Sequence, residues 1–410
     1  MSARSAEPAA LLWSADRLVT GRDRNVVPGG AVLTRGARIV WVGPASDVPA
    51  DLARGAVRRH FDGATLLPGL IDAHTHLALD AGTSPFSTIQ ALDAGTVLAQ
   101  MRERARAALA AGVTTVRDLG APWRLDALLR REILDGRTPG PTVVAAGVPL
   151  TVPGGHLAVL GGETATLADA QAVIRANRDA GCRWTKIVVT GGFTSGSGGC
   201  SPYASAWDQH LLEGIVAFSH AEGMPVAAHA HGTAGIQAAA AAGADSIEHA
   251  TWMCADGFDV DALTLADLAR RGTAVCTSLN SAAPRAAGRL PWSERARQLR
   301  AMHHHRVPLA VGTDCGIPGT AHTGLPVSLP AYRALGLDPL GVIELATATT
   351  ARLIGEHSTG ELAPGRRADV LAVEGDPTAD LEQLTRPLAV LTRGRLHHPA
   401  TSDDRKKDPR

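Results

Sequence analysis

The chain has 410 residues and a mass of 42.4 kDa, which suits two or three average domains or one large barrel with an appendage. Lysine and arginine number 40, as do aspartate and glutamate, and this zero net charge argues against a nucleic-acid partner. Hydrophobic residues make up 45%, which predicts a large buried core and excludes a mainly disordered chain. No apolar run of about 18 residues predicts a membrane span, and no signal peptide precedes the first strand. The five cysteines are scattered, so we expect a reduced, cytoplasmic protein, and the sequence leaves open whether it forms a homo-oligomer.

Short strands are predicted at the beginning of the chain. Residues 11–19, 30–35 and 37–42 alternate apolar and polar side chains, and turn-forming residues separate them. This set is too small to form a hydrophobic core alone, because isolated β-ribbons are marginally stable.

The middle of the chain alternates apolar runs with helical patterns. Eight runs end in Gly, Asp or His and precede Ala/Leu/Arg-rich segments, an order typical of a parallel α/β sheet. The predicted strands are 65–76, 114–118, 142–146, 184–190, 225–230, 245–249, 274–279 and 308–314. Eight such units in about 290 residues favour a (β/α)₈ TIM barrel over an open sheet.

Alternating strands return near the end of the chain, at 370–373 and 388–392. We expect them to join the first strands in a small β-sandwich built from both termini; the alternative is two independent ribbons lying on the barrel. The predicted organisation is 1–64 and 355–400 for the sandwich, 65–354 for the barrel and 401–410 for a disordered tail.

Histidines collect at the predicted strand ends. His74 and His76 are two residues apart, so both rings leave one face of an extended strand and can bind one metal ion. His229 and His249 end later strands, and Asp314 ends the eighth. Because barrel enzymes have their active sites at this face, the five side chains predict a metal site.

Lys186 is the lysine of the predicted folded body, since the other two lysines lie in the tail. Arginine replaces lysine wherever positive charge suffices, but a guanidinium cannot lose its proton to become a nucleophile. A structural ion pair is one interpretation of Lys186. The other is a lysine carboxylated by CO₂, which would form an anionic bridge between two divalent metals.

These motifs resemble the amidohydrolase superfamily, and within its binuclear branch the imidazolonepropionase-related and Xaa-Pro dipeptidase-like members. The resemblance covers nearly the whole chain and rests on 67–76 (LPGLIDAHTH), 115–118 (TVRD), 186–192 (KIVVTGG), 229–232 (HAHG), 246–249 (SIEH), 312–314 (GTD), 360–365 (GELAPG) and 368–370 (ADV).

The resemblance implies a ligand set for two divalent metal ions, with zinc expected. His74 and His76 would hold the more buried ion with Lys186 and Asp314. The second ion would bind His229 and His249, and carboxylated Lys186 would bridge the two ions. His156 and His231 would contact the substrate, although a solvated loop histidine is the ordinary interpretation of His156. The role of the Gly/Ser-rich loop 192–205 stays open.

The resulting prediction is a binuclear amidohydrolase that hydrolyses an amide-like bond in a small molecule, with a dipeptide or N-acyl amino acid as the expected substrate, by a metal-bridging hydroxide. Asp314 would take the proton of the attacking water and deliver it to the leaving amine. A mononuclear deaminase or cyclic-amide hydrolase would not need Lys186. A lactonase or esterase would use the same centre, and a non-catalytic scaffold would not need intact ligands. The sequence does not separate the exact substrate or the native metal.

Overall fold

The computed structural model describes residues 10–193 and 199–398. No helix within these two ranges is long and apolar enough to cross a membrane. The predicted disordered tail, 401–410, lies outside the described residues.

The strands of the described chain are numbered in order: β1 Ala10–Val19, β2 Val26–Pro28, β3 Gly30–Arg35, β4 Arg38–Pro44, β5 Val57–Pro68, β6 Leu70–Thr75, β7 Val113–Asp118, β8 Thr142–Ala145, β9 Thr185–Val188, β10 Val226–Gly232, β11 Ser246–Cys254, β12 Gly257–Phe258, β13 Ala274–Cys276, β14 Leu309–Ala310, β15 Val370–Glu374, β16 Pro387–Thr392 and β17 Arg395–His397.

The α-helices are α1 Pro85–Gln90, α2 Ala94–Ala110, α3 Leu125–Leu134, α4 Leu167–Ala180, α5 Gln209–Ala221, α6 Thr233–Ala242, α7 Ala262–Arg271, α8 Trp292–His304, α9 Leu325–Ser328, α10 Pro339–Glu344 and α11 Thr350–Leu353. A π-helical turn spans Leu345–Thr349, and short 3₁₀ segments span Ala45–Asp47, Pro122–Arg124, Ala158–Leu160, Ala283–Arg285, Leu329–Leu335 and Leu381–Thr385.

The described residues divide into two compact units. One comprises residues up to 71, 108–114 and those from 338 onward, and the other comprises 72–107 and 115–337. The domain limits predicted from the sequence stay a prediction.

Strands from both ends of the chain share one sheet in the first unit. Its order is β17-β16-β15-β5-β1-β3-β4, with β2 paired to β1. Strand β5 pairs in parallel with β1 and antiparallel with β15, so it joins the two terminal sets. Alternation along β1 directs Trp13 into a cluster with Phe61 and Leu12 into a second cluster with Leu33. The predicted terminal strands therefore meet in one sheet, and their folding into a sandwich stays a prediction.

The second unit contains most of the predicted α/β alternation. Strands β9, β10, β11, β13 and β14 are mutually parallel neighbours, and β6, β7 and β8 form a second sheet. The chain therefore has an α/β fold with parallel sheets, in which helices follow most of the strands.

Backbone hydrogen bonds continue from one sheet of the second unit toward the other. The Leu150 N–H, just after β8, donates to the carbonyl of Lys186 in β9 at 2.8 Å. At the other side, the Asp314 N–H, after β14, donates to the carbonyl of His74 in β6, also at 2.8 Å. These bonds bring the ends of β14 and β6 side by side, which determines where the polar side chains meet.

The first predicted barrel strand differs in the structure. Residues Thr65 to Pro68 extend β5 and pair with β15, whereas a separate strand, β6, begins at Leu70. Gly69 separates the two strands, and a Cβ there would lie 2.1 Å from the Thr114 hydroxyl. The close approach of Thr114 therefore requires glycine at the point where the strand changes sheets.

Candidate metal centre

The first histidine pair lies at the end of β6, as its spacing predicts. His74 is within the strand and His76 follows it directly, and their ring centroids are 5.3 Å apart. The backbone bond from Asp314 to His74 holds the carboxylate over both rings. Its Oδ1 lies 3.3 Å from His74 Nε2 and 3.5 Å from His76 Nε2. All three residues are buried. Their short separations are consistent with the sequence prediction that these side chains meet.

A second group of histidines comes from β10 and β11. His229 Nδ1 lies 2.9 Å from His249 Nε2, and the His231 ring stacks on the His249 ring at 4.4 Å. His249 and Ala250 have φ values of 72° and 43°, which non-glycine residues rarely adopt. This left-handed turn interrupts the extended strand at His249, in the manner of strained backbone at functional sites.

The two groups are adjacent and can each hold a cation. The ligand atoms of His74, His76 and Asp314 all lie within 4.8 Å of one another, as do those of His229, His231 and His249. The His74 and His249 rings are 5.0 Å apart, so the groups form one continuous cluster.

Unsatisfied polar atoms indicate that the cluster fits metal ions. Among the described residues, His74 Nε2, His76 Nδ1 and His229 Nε2 are buried without a hydrogen-bond partner. Such atoms are costly to bury unless something else binds them, and imidazole nitrogens are the common ligands of zinc. The donor set of histidine and carboxylate therefore fits divalent metal ions.

Lys186 lies on the same face of the sheet as this cluster. In the register of β9 and β10, Lys186 pairs with Ala227 and Val188 pairs with His229, so the lysine and His229 point to one side. Lys186 is fully buried, and its Nζ has no hydrogen-bond partner among the described residues. The charges of Glu248 and Asp314 nevertheless act on Lys186, so the choice between a structural ion pair and a carboxylated lysine stays a prediction.

The electrostatics of the centre favour neutral side chains. Burial, followed by the charge of Lys186, lowers the pKa of His74 well below its usual range and that of His76 to about 3. Burial also lowers the pKa of Lys186 to about 8, opposed by the charges of Glu248 and Asp314. Neutral imidazole is the form that binds metals, and a neutral amine is the form that reacts with CO₂.

Burial has the opposite effect on the carboxylate. It raises the pKa of Asp314 to about 8, and the positive charge of Lys186 only partly offsets the change. A bound cation would favour the ionised form instead, because its charge reverses the local balance.

A buried ion pair that the sequence did not identify supports His74 from behind. Glu248 Oε2 lies 2.9 Å from His74 Nδ1, while Glu248 Oε1 accepts hydrogen bonds from Arg117 at 2.8 Å and from the Ser246 hydroxyl at 2.6 Å. Arg117 also packs over the Trp184 ring at 4.5 Å and donates to a backbone carbonyl. The sequence offered one signal for this pair: Arg117 and Glu248 are charged residues within strands that were predicted to be buried.

The centre opens into a cavity of about 570 Å³, a size typical of small-molecule sites. His156 and His231 both line it, and the His156 ring lies 4.9 Å from the His229 ring. The structure therefore brings both predicted substrate-contacting histidines to the cavity beside the metal cluster. Burial lowers the pKa of His156 to about 4 and that of His231 to about 3.

The segment between β13 and α8 forms much of the cavity wall. Residues 277–279 belong to the predicted strand 274–279, whereas β13 ends at Cys276, and the sequence prediction missed the rest of the segment. Its contributing residues run from Thr277 to Leu290. They form a loop without hydrophobic periodicity, and periodicity was the signal used to find the other elements. From the Gly/Ser-rich loop, Phe193 also lines the cavity, whereas 194–198 lie outside the described residues.

Known proteins resemble this chain along most of its length. The model of the amidohydrolase family matches residues 65–396. Imidazolonepropionase of Nocardia farcinica (strain IFM 10152) is 29% identical over an alignment that covers 90% of this chain and 92% of the relative. Ochratoxinase of Aspergillus niger is 26% identical, covering 89% of this chain and 83% of the relative. The crystal structure of a Xaa-Pro dipeptidase with bound methionine superposes with a TM-score of 0.80 at 24% identity, covering 95% of this chain and 100% of the other.

Proposed function

Because the chain belongs to the amidohydrolase family, we propose that it is a binuclear metal hydrolase that cleaves an amide-like bond in a dipeptide or an N-acyl amino acid. The coarser activity follows from the family and its named relatives: the protein is a metal-dependent hydrolase of C–N bonds. One observation supports two metals rather than one. The unpaired, buried Lys186 faces the same space as two adjacent groups of metal-binding side chains.

The parallel strands of the second unit would close into a (β/α)₈ barrel. Support comes from the backbone hydrogen bonds that run from Leu150 to Lys186 and from Asp314 to His74. In a closed barrel the strand ends form one rim, where loops from several strands converge on a single site.

The ligands are distributed between two proposed zinc sites. His74, His76 and Asp314 would hold one ion, and His229 and His249 the other. Carboxylated Lys186 would join the two sites, because its neutral amine can take up CO₂ and the resulting anion is stabilised between cations. When bound, such ions lower the pKa of a water molecule and polarise the carbonyl of the substrate.

The chain's own residues would then handle the protons. Asp314 would accept the proton of the attacking water and deliver it to the leaving amine, since its carboxylate sits at the centre of the cluster. His156 and His231 are neutral because burial lowers the pKa of each ring. His156 can therefore donate a ring N–H to the developing oxyanion without introducing a charge of its own. The Thr251 hydroxyl donates to the His231 carbonyl and accepts from His231 Nδ1, so neutral His231 would present Nε2 to the substrate as an acceptor.

The test combines metal analysis with hydrolysis assays. Protein purified without chelator and reconstituted with zinc and bicarbonate is expected to contain two zinc ions per chain. It should hydrolyse members of a panel of dipeptides and N-acyl amino acids, with a lactone as comparison. A single bound ion together with activity on a cyclic amide would instead support the mononuclear hydrolase.

A further inference from the structure

We propose that Arg285 binds a free carboxylate of the substrate, so that the enzyme selects amides carrying that anion over their neutral counterparts. This inference rests on the proposed amide hydrolysis and assigns a specificity-determining residue to its cavity. It concerns a side chain in the segment between β13 and α8, outside the proposed metal ligands.

The charges around the cavity favour an anion. Asp314 is the acidic residue among the lining residues, and it belongs to the proposed metal site. Two arginines, Arg285 and Arg295, also line the cavity, whereas most of the other lining side chains are apolar or histidine. A substrate ammonium group would therefore find no free carboxylate partner here, whereas a carboxylate would find a guanidinium.

The two arginines differ in what they already bind. Arg295 is buried, and its guanidinium donates to the carbonyls of His249, Ala250 and Thr277 at 2.6–2.8 Å. It is therefore committed to holding the backbone together. Arg285 is exposed at the cavity and forms no ion pair or side-chain hydrogen bond among the described residues.

Arg285 is held on an ordered turn rather than a loose loop. It ends the 3₁₀ segment Ala283–Arg285, and its N–H donates to the Ala282 carbonyl at 3.0 Å. Asn280 stabilises the start of the turn, because its Oδ1 accepts from the Ala282 N–H and its Nδ2 donates to the Thr320 hydroxyl at 3.1 Å. A fixed backbone lowers the entropic cost of positioning the side chain for a ligand.

The neighbouring arginine, Arg289, already contacts an aromatic ring. The Arg289 guanidinium lies 4.3 Å from the centroid of the Phe193 ring, and Phe193 in turn contacts the His231 ring at 4.7 Å. This stacking engages Arg289 with the cavity wall. Arg285 is thus the arginine of the segment that is available to form two parallel hydrogen bonds with a carboxylate.

The experiment compares N-acetyl-leucine with its neutral analogue N-acetyl-leucinamide in the zinc-loaded enzyme. We expect Arg285→Gln to raise the KM for N-acetyl-leucine about tenfold, with little change in kcat, because an exposed charged hydrogen bond contributes at the low end of its range. The KM for the neutral analogue should stay the same. Raising the salt concentration should weaken the binding of N-acetyl-leucine to the wild-type enzyme and leave its binding to Arg285→Gln unchanged.

Arg300→Gln is the matched control, since Arg300 is an exposed arginine of α8 that does not line the cavity. Equal KM values for the two compounds in the wild type, or an unchanged preference in Arg285→Gln, would overturn the assignment. Calorimetric binding of both compounds is measured in parallel. If neither is hydrolysed but N-acetyl-leucine binds through Arg285, the proposed reaction fails while the carboxylate site stands; if neither binds, the site fails as well.

Discussion

Replacing Glu248 with glutamine tests how the centre is held. The substitution keeps the shape of the side chain but removes its negative charge. That charge lies 2.8 Å from the Arg117 guanidinium and 2.9 Å from His74 Nδ1. When His74 Nε2 is kept free for a metal, the ring proton is on Nδ1, which lies 2.9 Å from Glu248 Oε2 and 3.2 Å from the Ser278 hydroxyl. The Arg117 guanidinium donates to Glu248 Oε1. A glutamine side chain has one oxygen, which can face either Arg117 or His74, so its NH₂ group must face the other donor.

The size of the effect follows from burial. Arg117 and Glu248 are at most 1% exposed, and breaking such a pair usually costs about 3–5 kcal/mol. We expect about 3 kcal/mol, the low end of that range, because Arg117 keeps the Ala73 carbonyl and the Ser246 hydroxyl. Loss of the carboxylate that orients a ligating histidine should also weaken metal binding about 10- to 100-fold.

Two measurements check this prediction. Urea unfolding of the metal-free protein reports the free energy of unfolding, and competition with a chelator reports the metal dissociation constant. Glu132→Gln is the control, because Glu132 forms a two-pronged pair with Arg102 and is not among the candidate metal ligands. It should lower stability without altering metal affinity. Unchanged metal affinity in Glu248→Gln would refute the orienting role.

Substitutions at three further positions test the centre itself. Asp314→Asn should lower turnover by about 10²-fold or more while retaining metal, and turnover above a tenth of wild type would contradict its proton-transfer role. Lys186→Arg should fold but lose at least one metal and nearly all hydrolysis, whereas added short-chain carboxylates should partly restore Lys186→Ala; a fully metallated, active arginine variant would exclude the carbamate. Gly312→Ala places a Cβ 2.5 Å from Cys276 Sγ and 2.9 Å from His74 Cβ. This overpacking should lower the free energy of unfolding by about 1–3 kcal/mol, which thermal unfolding detects as a lower Tm.

Much of the fold follows from local patterns in the sequence. The alternation of apolar runs and helical segments predicted the parallel strands, and in the structure Gly181 ends α4 in the left-handed conformation that glycine favours. Residues 65–68 differ, because they extend β5 of the terminal sheet. The predicted strands 274–279 and 308–314 are shorter in the structure, where β13 ends at Cys276 and β14 at Ala310. The residues on either side of Gly69, 66–68 and 70–71, are all apolar and buried, so hydrophobicity alone could not locate the crossing between the two sheets.

The sequence alone determined which side chains could form the centre, because period-two alternation places His74 and His76 on one face and Lys186 is the lysine outside the predicted tail. Only the tertiary structure decided how they meet. Strict alternation would direct Glu248 and His249 to opposite faces of β11, yet left-handed backbone at His249 interrupts the strand and its ring lies beside that of His229. Residues distant in the chain, such as Arg117 in β7 and Glu248 in β11, pair between two different sheets, and no local pattern specifies those distances.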